Sequence, residues 1–187
     1  MQRHKEYGAV TLEACVSVIA FVLLMLMLSS LFVMFMAQNL TAHATLQSAQ
    51  SLALEAYSIN KLQKEDGKLG SLDQIFSDFV AGLFGSPENN PGFVSEERLE
   101  SLEEADLAQA VKKRFVGYLA GGDETEADRL LLMLNVVEGL DGLDFSKSSV
   151  QDGVLYIVLN YKLEYDFNVW NLGTIDVEQK ACSKLWK

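Results

Sequence analysis

The strongest constraint on this chain is one long apolar segment near its N-terminus. From Ala14 to Ala37, 24 consecutive residues carry no charge and include neither proline nor glycine. A helix of that length rises about 36 Å, enough to cross a hydrocarbon core about 30 Å thick. Residues 9–37 are therefore predicted to form a transmembrane helix.

The charges flanking this segment predict its orientation. Arg3 and Lys5 precede the span, whereas no lysine or arginine lies between the span and Lys61. Because positive flanks stay in the cytoplasm, the N-terminus is expected inside the cell and residues 58–187 outside. This outer part has 13 basic and 23 acidic side chains, a net charge of −10. So acidic a chain is not expected to bind nucleic acid.

A cleaved secretory signal is an alternative interpretation of the same segment. Ala42-His43-Ala44 offers an A-x-A site, after which the remainder would be released. However, the apolar run exceeds the 7–15 residues of a signal-peptide core. A retained anchor is favoured over a secreted enzyme or binding protein.

One charge stands at the start of the apolar segment. Glu13 follows Gly8-Ala9-Val10-Thr11-Leu12 and directly precedes the uncharged run. A carboxylate near a bilayer is costly and is usually paired or functional. Glu13 either marks the water-side end of the span or has a role of its own.

The string Arg3-His4-Lys5-Glu6-Tyr7-Gly8-Ala9-Val10-Thr11-Leu12-Glu13 resembles the class III signal of type IV prepilins. That resemblance implies cleavage by a prepilin peptidase between Gly8 and Ala9, which would remove residues 1–8 as a leader. It also implies that Glu13 pairs with the new α-amine of a neighbouring subunit and sets the register of assembly.

The segment from Gly8 to Ala14 more specifically resembles the TadE-like family of the tight-adherence (Flp) pilus system. Similarity continues near the C-terminus, in Asn160-Tyr161-Lys162-Leu163, Asn171-Leu172-Gly173 and a V-x-Q-x-A string from Val177 to Ala181. It covers roughly the first 57 and last 35 residues. The resemblance implies a minor pseudopilin or assembly subunit in the membrane, whose partners are other pilin or pseudopilin subunits and the prepilin peptidase.

Periodicity predicts an α+β, pilin-like fold. A helix is expected from about Leu12 to Tyr57, in which residues 38–57 form an amphipathic continuation beyond the membrane. Its apolar stripe is predicted to comprise Leu40, Leu46, Ala49, Leu52, Ala53 and Ala56. Further helices are predicted at about 71–84, 95–119 and 125–138. Alternating residues predict strands at about 155–167 and 175–185, within an antiparallel sheet of about three strands. Asp152-Gly153 predicts a turn before the first of these strands.

Few residues suggest catalysis or metal binding. Acidic side chains crowd residues 123–128 and 138–144, but neither string matches a calcium loop. His43 has no second metal-binding residue near it. Cys15 is expected inside the membrane segment and Cys182 outside it, so the two are not expected to pair within one chain. We therefore expect no enzyme activity, no metal, no cofactor and no small-molecule substrate. An unprocessed, single-pass, membrane-anchored binding module remains the alternative function.

Overall fold

The computed structural model describes residues 3–64, 104–165 and 173–185, and the side-chain surroundings of 11–57, 105–165 and 173–185. Helix α1 spans Arg3–Lys64, α2 Glu104–Ala120 and α3 Glu124–Met133. Strands β1, β2 and β3 span Ser149–Gln151, Val154–Glu164 and Thr174–Lys184. The expected α+β architecture is confirmed. The predicted helix at 71–84 and the start of that at 95–119 lie outside the described residues.

Helix α1 is continuous over 62 residues, a length of about 93 Å. From Thr11 to Ser29 every side chain is exposed, and these residues are almost entirely apolar. From Ser30 onwards one side of the helix is buried. Among the described residues, this is one helix long and apolar enough to span a membrane.

The buried face of α1 differs from the predicted stripe. Ala49, Leu52, Ala53 and Ala56 are buried as expected, but Leu40 and Leu46 are exposed. The face that packs on the domain instead carries small and hydroxyl residues, namely Ala37, Thr41, Ala44, Thr45 and Ser48.

The hydroxyl groups of Thr41, Thr45 and Ser48 can occupy this buried face because the helix itself satisfies them, whereas Ser30 Oγ is buried with no hydrogen-bond partner among the described residues. Thr41 Oγ1 donates to the carbonyl of Ala37 at 2.8 Å, and Thr45 Oγ1 to that of Thr41 at 2.7 Å. Ser48 Oγ donates likewise to the carbonyl of Ala44 at 2.7 Å. Such bonds to the preceding turn avoid the penalty of a buried, unpaired hydroxyl. Short side chains then let the sheet approach the helix more closely than leucines would allow.

The three strands form one antiparallel sheet in the order β1-β2-β3. A two-residue turn, Asp152-Gly153, joins β1 to β2, and both residues have positive φ (52° and 70°). Positive φ at both positions is what a tight hairpin of this kind requires, and it confirms the predicted turn. Along β2 the predicted alternation is confirmed, because Leu155, Ile157, Leu159, Tyr161 and Leu163 are all buried.

Two shorter helices complete the described core. In α3 the Asp123 side chain caps the first turn by accepting from the backbone N–H groups of Thr125 and Glu126. The helix was predicted to reach about Glu138, which is wrong, since it ends at Met133. Asn135 takes a left-handed φ of 61°, and Val137 then donates its backbone N–H to Lys162 on β2 at 2.9 Å. Pairing with the sheet therefore overrides the helical periodicity of this segment.

The core lies where α1, α2 and the inner face of the sheet meet. Phe115 of α2 and Phe145 pack edge to face with ring centroids 5.5 Å apart. Leu52 of α1 and Leu159 of β2 belong to the same buried cluster. The helix that carries the long apolar segment is thus also a core element of the domain.

Candidate assembly site

Glu13 is the third residue of α1 whose side-chain surroundings are described, and its side chain is exposed. Its backbone carbonyl accepts a hydrogen bond from Ser17 Oγ at 2.9 Å. The side chains from Ala14 to Ser29 are likewise exposed on every side of the helix. Glu13 is therefore an exposed carboxylate at the N-terminal end of the uncovered apolar segment of α1.

Gly8 and Ala9 lie within the backbone of the same helix, which begins at Arg3. Their surroundings lie outside the side chains that the structure describes. Ala9 precedes Glu13 by four residues, or a rise of about 6 Å along a helix. The predicted cleavage residues and the predicted register charge are thus about one turn apart on one continuous element.

A hydrogen-bonded cluster, not foreseen from the sequence, fixes the sheet to α1 just beyond the apolar segment. The hydroxyl of Tyr161 on β2 lies 2.9 Å from Thr41 Oγ1 and 3.1 Å from Gln179 Nε2 of β3. Gln179 Nε2 also donates to the backbone carbonyl of Gln38 at 2.9 Å. We call these four residues the helix–sheet clamp.

Tyr161 and Thr41 are the buried members of the helix–sheet clamp, whereas Gln179 is half-buried and Gln38 is exposed. Burial raises the pKa of the Tyr161 phenol above its usual value, while the hydrogen bond with Thr41 opposes that rise. The phenol therefore stays neutral and acts as a hydrogen-bonding group in the clamp. A tyrosine that alternates with buried aliphatic residues was the available sequence signal, although nothing in the sequence identified Thr41 as its partner.

A second unforeseen contact joins α1 to α2. The guanidinium of Arg114 pairs with the carboxylate of Glu55, and both side chains are almost completely buried. Glu55 interrupts an otherwise small and apolar face, and that interruption was the available sequence signal. This ion pair attaches the part of α1 around Glu55 to the domain, and the helix–sheet clamp attaches the part around Thr41.

The acidic residues have local structural roles. Asp123 caps α3, and Asp128 Oδ1 accepts from the backbone N–H of Leu140 at 2.8 Å. Asp144 Oδ1 accepts from the backbone N–H of Ser146 at 2.9 Å, and its hydrogen bonds with Ser146 lower the pKa of this carboxyl. Within the described ranges, no group of three histidine, cysteine or acidic side chains could hold a metal ion.

A groove of about 600 Å³ crosses the outer face of the sheet beside residues 137–147. Among its lining residues, Lys147 lies 3.5 Å from Glu178 and Lys162 lies 3.9 Å from Asp176. The groove is a surface of paired charges.

The remaining candidate groups stand apart from one another. Cys15 and Cys182 are both exposed and free, and His43 is exposed on α1, where its Nε2 lies 3.4 Å from Gln47 Nε2.

No family model, curated protein or solved structure matches this chain. Its function is therefore inferred from Glu13, the apolar helix and the domain built on that helix.

Proposed function

We propose that this chain is a TadE-like minor pseudopilin or assembly subunit of a tight-adherence pilus. In this proposal the leader of residues 1–8 lies in the cytoplasm and is removed between Gly8 and Ala9 by a prepilin peptidase. The acidic domain lies outside the membrane. Residues 9 onwards of α1 then join the helices of other pilin or pseudopilin subunits.

The observation that carries the proposal is the exposed carboxylate of Glu13 at the end of the uncovered apolar helix. A charged side chain costs roughly 2.5–3.5 kcal/mol at the centre of a membrane-spanning helix and less near the interface. A cation from another subunit would remove much of that cost. Cleavage after Gly8 creates such a cation, the α-amine of Ala9, about one turn from Glu13.

The way the domain is attached to α1 supports the same function. A subunit that joins a helical assembly must transmit the position of its helix to its outer domain. The helix–sheet clamp and the Glu55–Arg114 ion pair attach the domain to α1 at two positions along the helix axis. The helix and the domain therefore behave as one rigid body in the proposed assembly.

The buried face of α1 argues against the secreted alternative. A cut after Ala44 would remove Met34, Ala37 and Thr41, which are buried, and would leave the Tyr161 hydroxyl without its partner on α1. Truncating several core residues costs a few kcal/mol each, against a total stability of roughly 5–15 kcal/mol. A released fragment that begins at Thr45 would lack an essential part of its core.

The assembly role is tested by substituting Glu13→Gln in the full chain, expressed with the rest of its pilus system. Differently tagged copies of the pilus subunits are extracted from membranes, and their co-purification is measured. Loss of a charge pair worth about 1.4 kcal/mol would reduce association about tenfold. Membrane insertion and leader removal should be unchanged.

Glu6→Gln is the matched control, because Glu6 lies in the leader and is absent from the processed chain. It should associate as the wild type does. If Glu13→Gln associates as well as Glu6→Gln, the register role is wrong, and an unprocessed membrane-anchored binding module becomes the better explanation.

A further inference from the structure

Two transitions along α1 occur at different heights. The first is where the domain begins to cover the helix, which happens at Ser30. The second is where the uncovered side of the helix stops being uniformly apolar. That happens at Asn39, beyond which His43 and Gln50 share this side with the exposed Leu46. The two transitions are nine residues apart, or about 13 Å.

Between these heights the two sides of the helix have opposite surroundings. On the covered side lie Ser30, Met34 and Ala37, all buried, and Met34 is only 6% exposed. On the open side lie Phe32 and Phe35, which are 62% and 63% exposed, together with Met36 at 48%. Large apolar side chains so exposed need an apolar environment.

The open side continues an apolar stripe that starts within the span. Met25, Leu28, Phe32, Phe35 and Met36 lie on one helical face, and all of them are exposed. This stripe contains no charged residue and continues from a segment whose side chains are exposed on all sides of the helix. We therefore expect the stripe and the segment to have the same surroundings, and those surroundings to be lipid.

We infer that the outer domain is seated in the interfacial layer of the bilayer and does not stand clear of it. Phe32, Phe35 and Met36 face lipid, while protein covers Ser30 and Met34 at the same depth. The overlap from Ser30 to Met36 rises about 9 Å. The interfacial layer on each side of a bilayer is roughly 5–8 Å thick, which is comparable.

The chemistry of this contact is apolar. No lysine or arginine lies between Lys5 and Lys61, and residues 58–187 have a net charge of −10. Attraction to anionic headgroups therefore plays no part in it. The domain should be seated equally deeply in phosphatidylcholine vesicles and in vesicles that contain anionic phosphatidylglycerol.

The experiment places single spin labels on the full-length chain in phosphatidylcholine vesicles. In a Cys15→Ser, Cys182→Ser background, cysteines are introduced as Met25→Cys, Met34→Cys, Met36→Cys and His43→Cys. Collision rates with oxygen, which partitions into lipid, and with a water-soluble nickel chelate give the surroundings of each label. Met34 and Met36 form a matched pair, two residues apart on opposite sides of one helix.

We expect labels at 25 and 36 to collide mainly with oxygen, and the label at 43 mainly with the chelate. The label at 34 should be immobile and shielded from both. If the label at 36 meets the chelate as freely as that at 43, the domain stands clear of the bilayer and the inference is overturned. Shielding of the label at 36 from both reagents would also overturn it, since a partner protein would then occupy this side.

The Met25→Cys label shows whether the apolar segment is inserted in the bilayer at all. The seating of the domain depends only on that anchoring. It does not depend on leader cleavage or on Glu13, so the two proposals can fail separately.

Discussion

The carboxylate of Glu55 on α1 and the guanidinium of Arg114 on α2 form an ion pair inside the core. Their side chains are only 5% and 10% exposed. Two charges in such surroundings depend on each other, because either of them alone would be buried without its counter-charge. Removing either partner alone from this contact between α1 and the domain should therefore carry a large free-energy penalty.

Arg114→Met should strongly destabilise the protein. Breaking a buried pair from one side costs roughly 3–5 kcal/mol, whereas replacing both partners with apolar residues is often neutral. The double variant Glu55→Leu, Arg114→Met should therefore be more stable than Arg114→Met alone. Urea unfolding of the detergent-solubilised full chain, followed by circular dichroism, measures both effects.

Arg129→Met is the control for this prediction. Arg129 lies 3.9 Å from Glu126 on the exposed side of α3, where both side chains are more than half exposed. Exposed pairs contribute at most about 1 kcal/mol. Equal losses of stability in Arg114→Met and Arg129→Met would show that burial of the core pair is unimportant.

Tyr161→Phe should weaken the helix–sheet clamp by about 1 kcal/mol, the usual contribution of one hydrogen bond. It should also change how stability depends on alkaline pH. Burial raises the pKa of Tyr161 in the folded protein above its unfolded value of about 10. The unfolded state therefore releases this proton first, and the stability that Tyr161 contributes at neutral pH is lost as the pH rises through 10 towards the folded pKa.

The measurement is the free energy of unfolding between about pH 8 and about pH 11, compared for wild type and Tyr161→Phe. The variant should lose less stability over this interval. Identical slopes for the two proteins would contradict the assignment of Tyr161 as a buried neutral phenol.

Gly139→Ala should be more harmful than Gly121→Ala. Both glycines have positive φ, 53° and 63°. Either substitution therefore costs roughly 1–2 kcal/mol in backbone strain. At Gly139 the new Cβ would also collide with Asp128 Oδ1, whereas at Gly121 it would meet open space. Thermal unfolding of the two variants side by side checks the order; a smaller loss for Gly139→Ala would contradict it.

Asp144→Asn should make the protein less sensitive to acid. Hydrogen bonds with Ser146 lower the pKa of Asp144 in the folded state. The stability that this carboxylate contributes is present above its unfolded pKa of about 3.9 and is lost as the pH falls through the lower folded pKa. Ser146→Ala, which removes the side-chain bond alone, should have a partial effect. Acid unfolding curves that superimpose for all three proteins would contradict this role.

The sequence predicted the elements that have strong periodicity. The long helix, the alternation along β2 and the Asp152-Gly153 turn follow from local pattern and turn chemistry. The end of α3 was missed because Val137 pairs with Lys162, a contact between residues distant in sequence. Periodicity within one segment contains no information about such a partner.

The polar face of α1 was missed for a different physical reason. The apolar stripe was assigned on the assumption that leucines face the core, yet Leu40 and Leu46 point outwards. Thr41 and Thr45 are buried instead, since their hydroxyls bond to carbonyls of their own helix. The ion pair of Glu55 could not be predicted from local sequence, because its partner Arg114 lies 59 residues away.

The central claim is that the chain is processed as a pilin-like subunit, and the identity of its first residue tests this most directly. The full chain is expressed with a prepilin peptidase, extracted from membranes and analysed by intact-mass and N-terminal mass spectrometry, with a strain lacking the peptidase as the control. The mature chain should begin at Ala9 with the peptidase and at Met1 without it. A chain that begins at Met1 in both strains, or at Thr45 in either, would contradict the account.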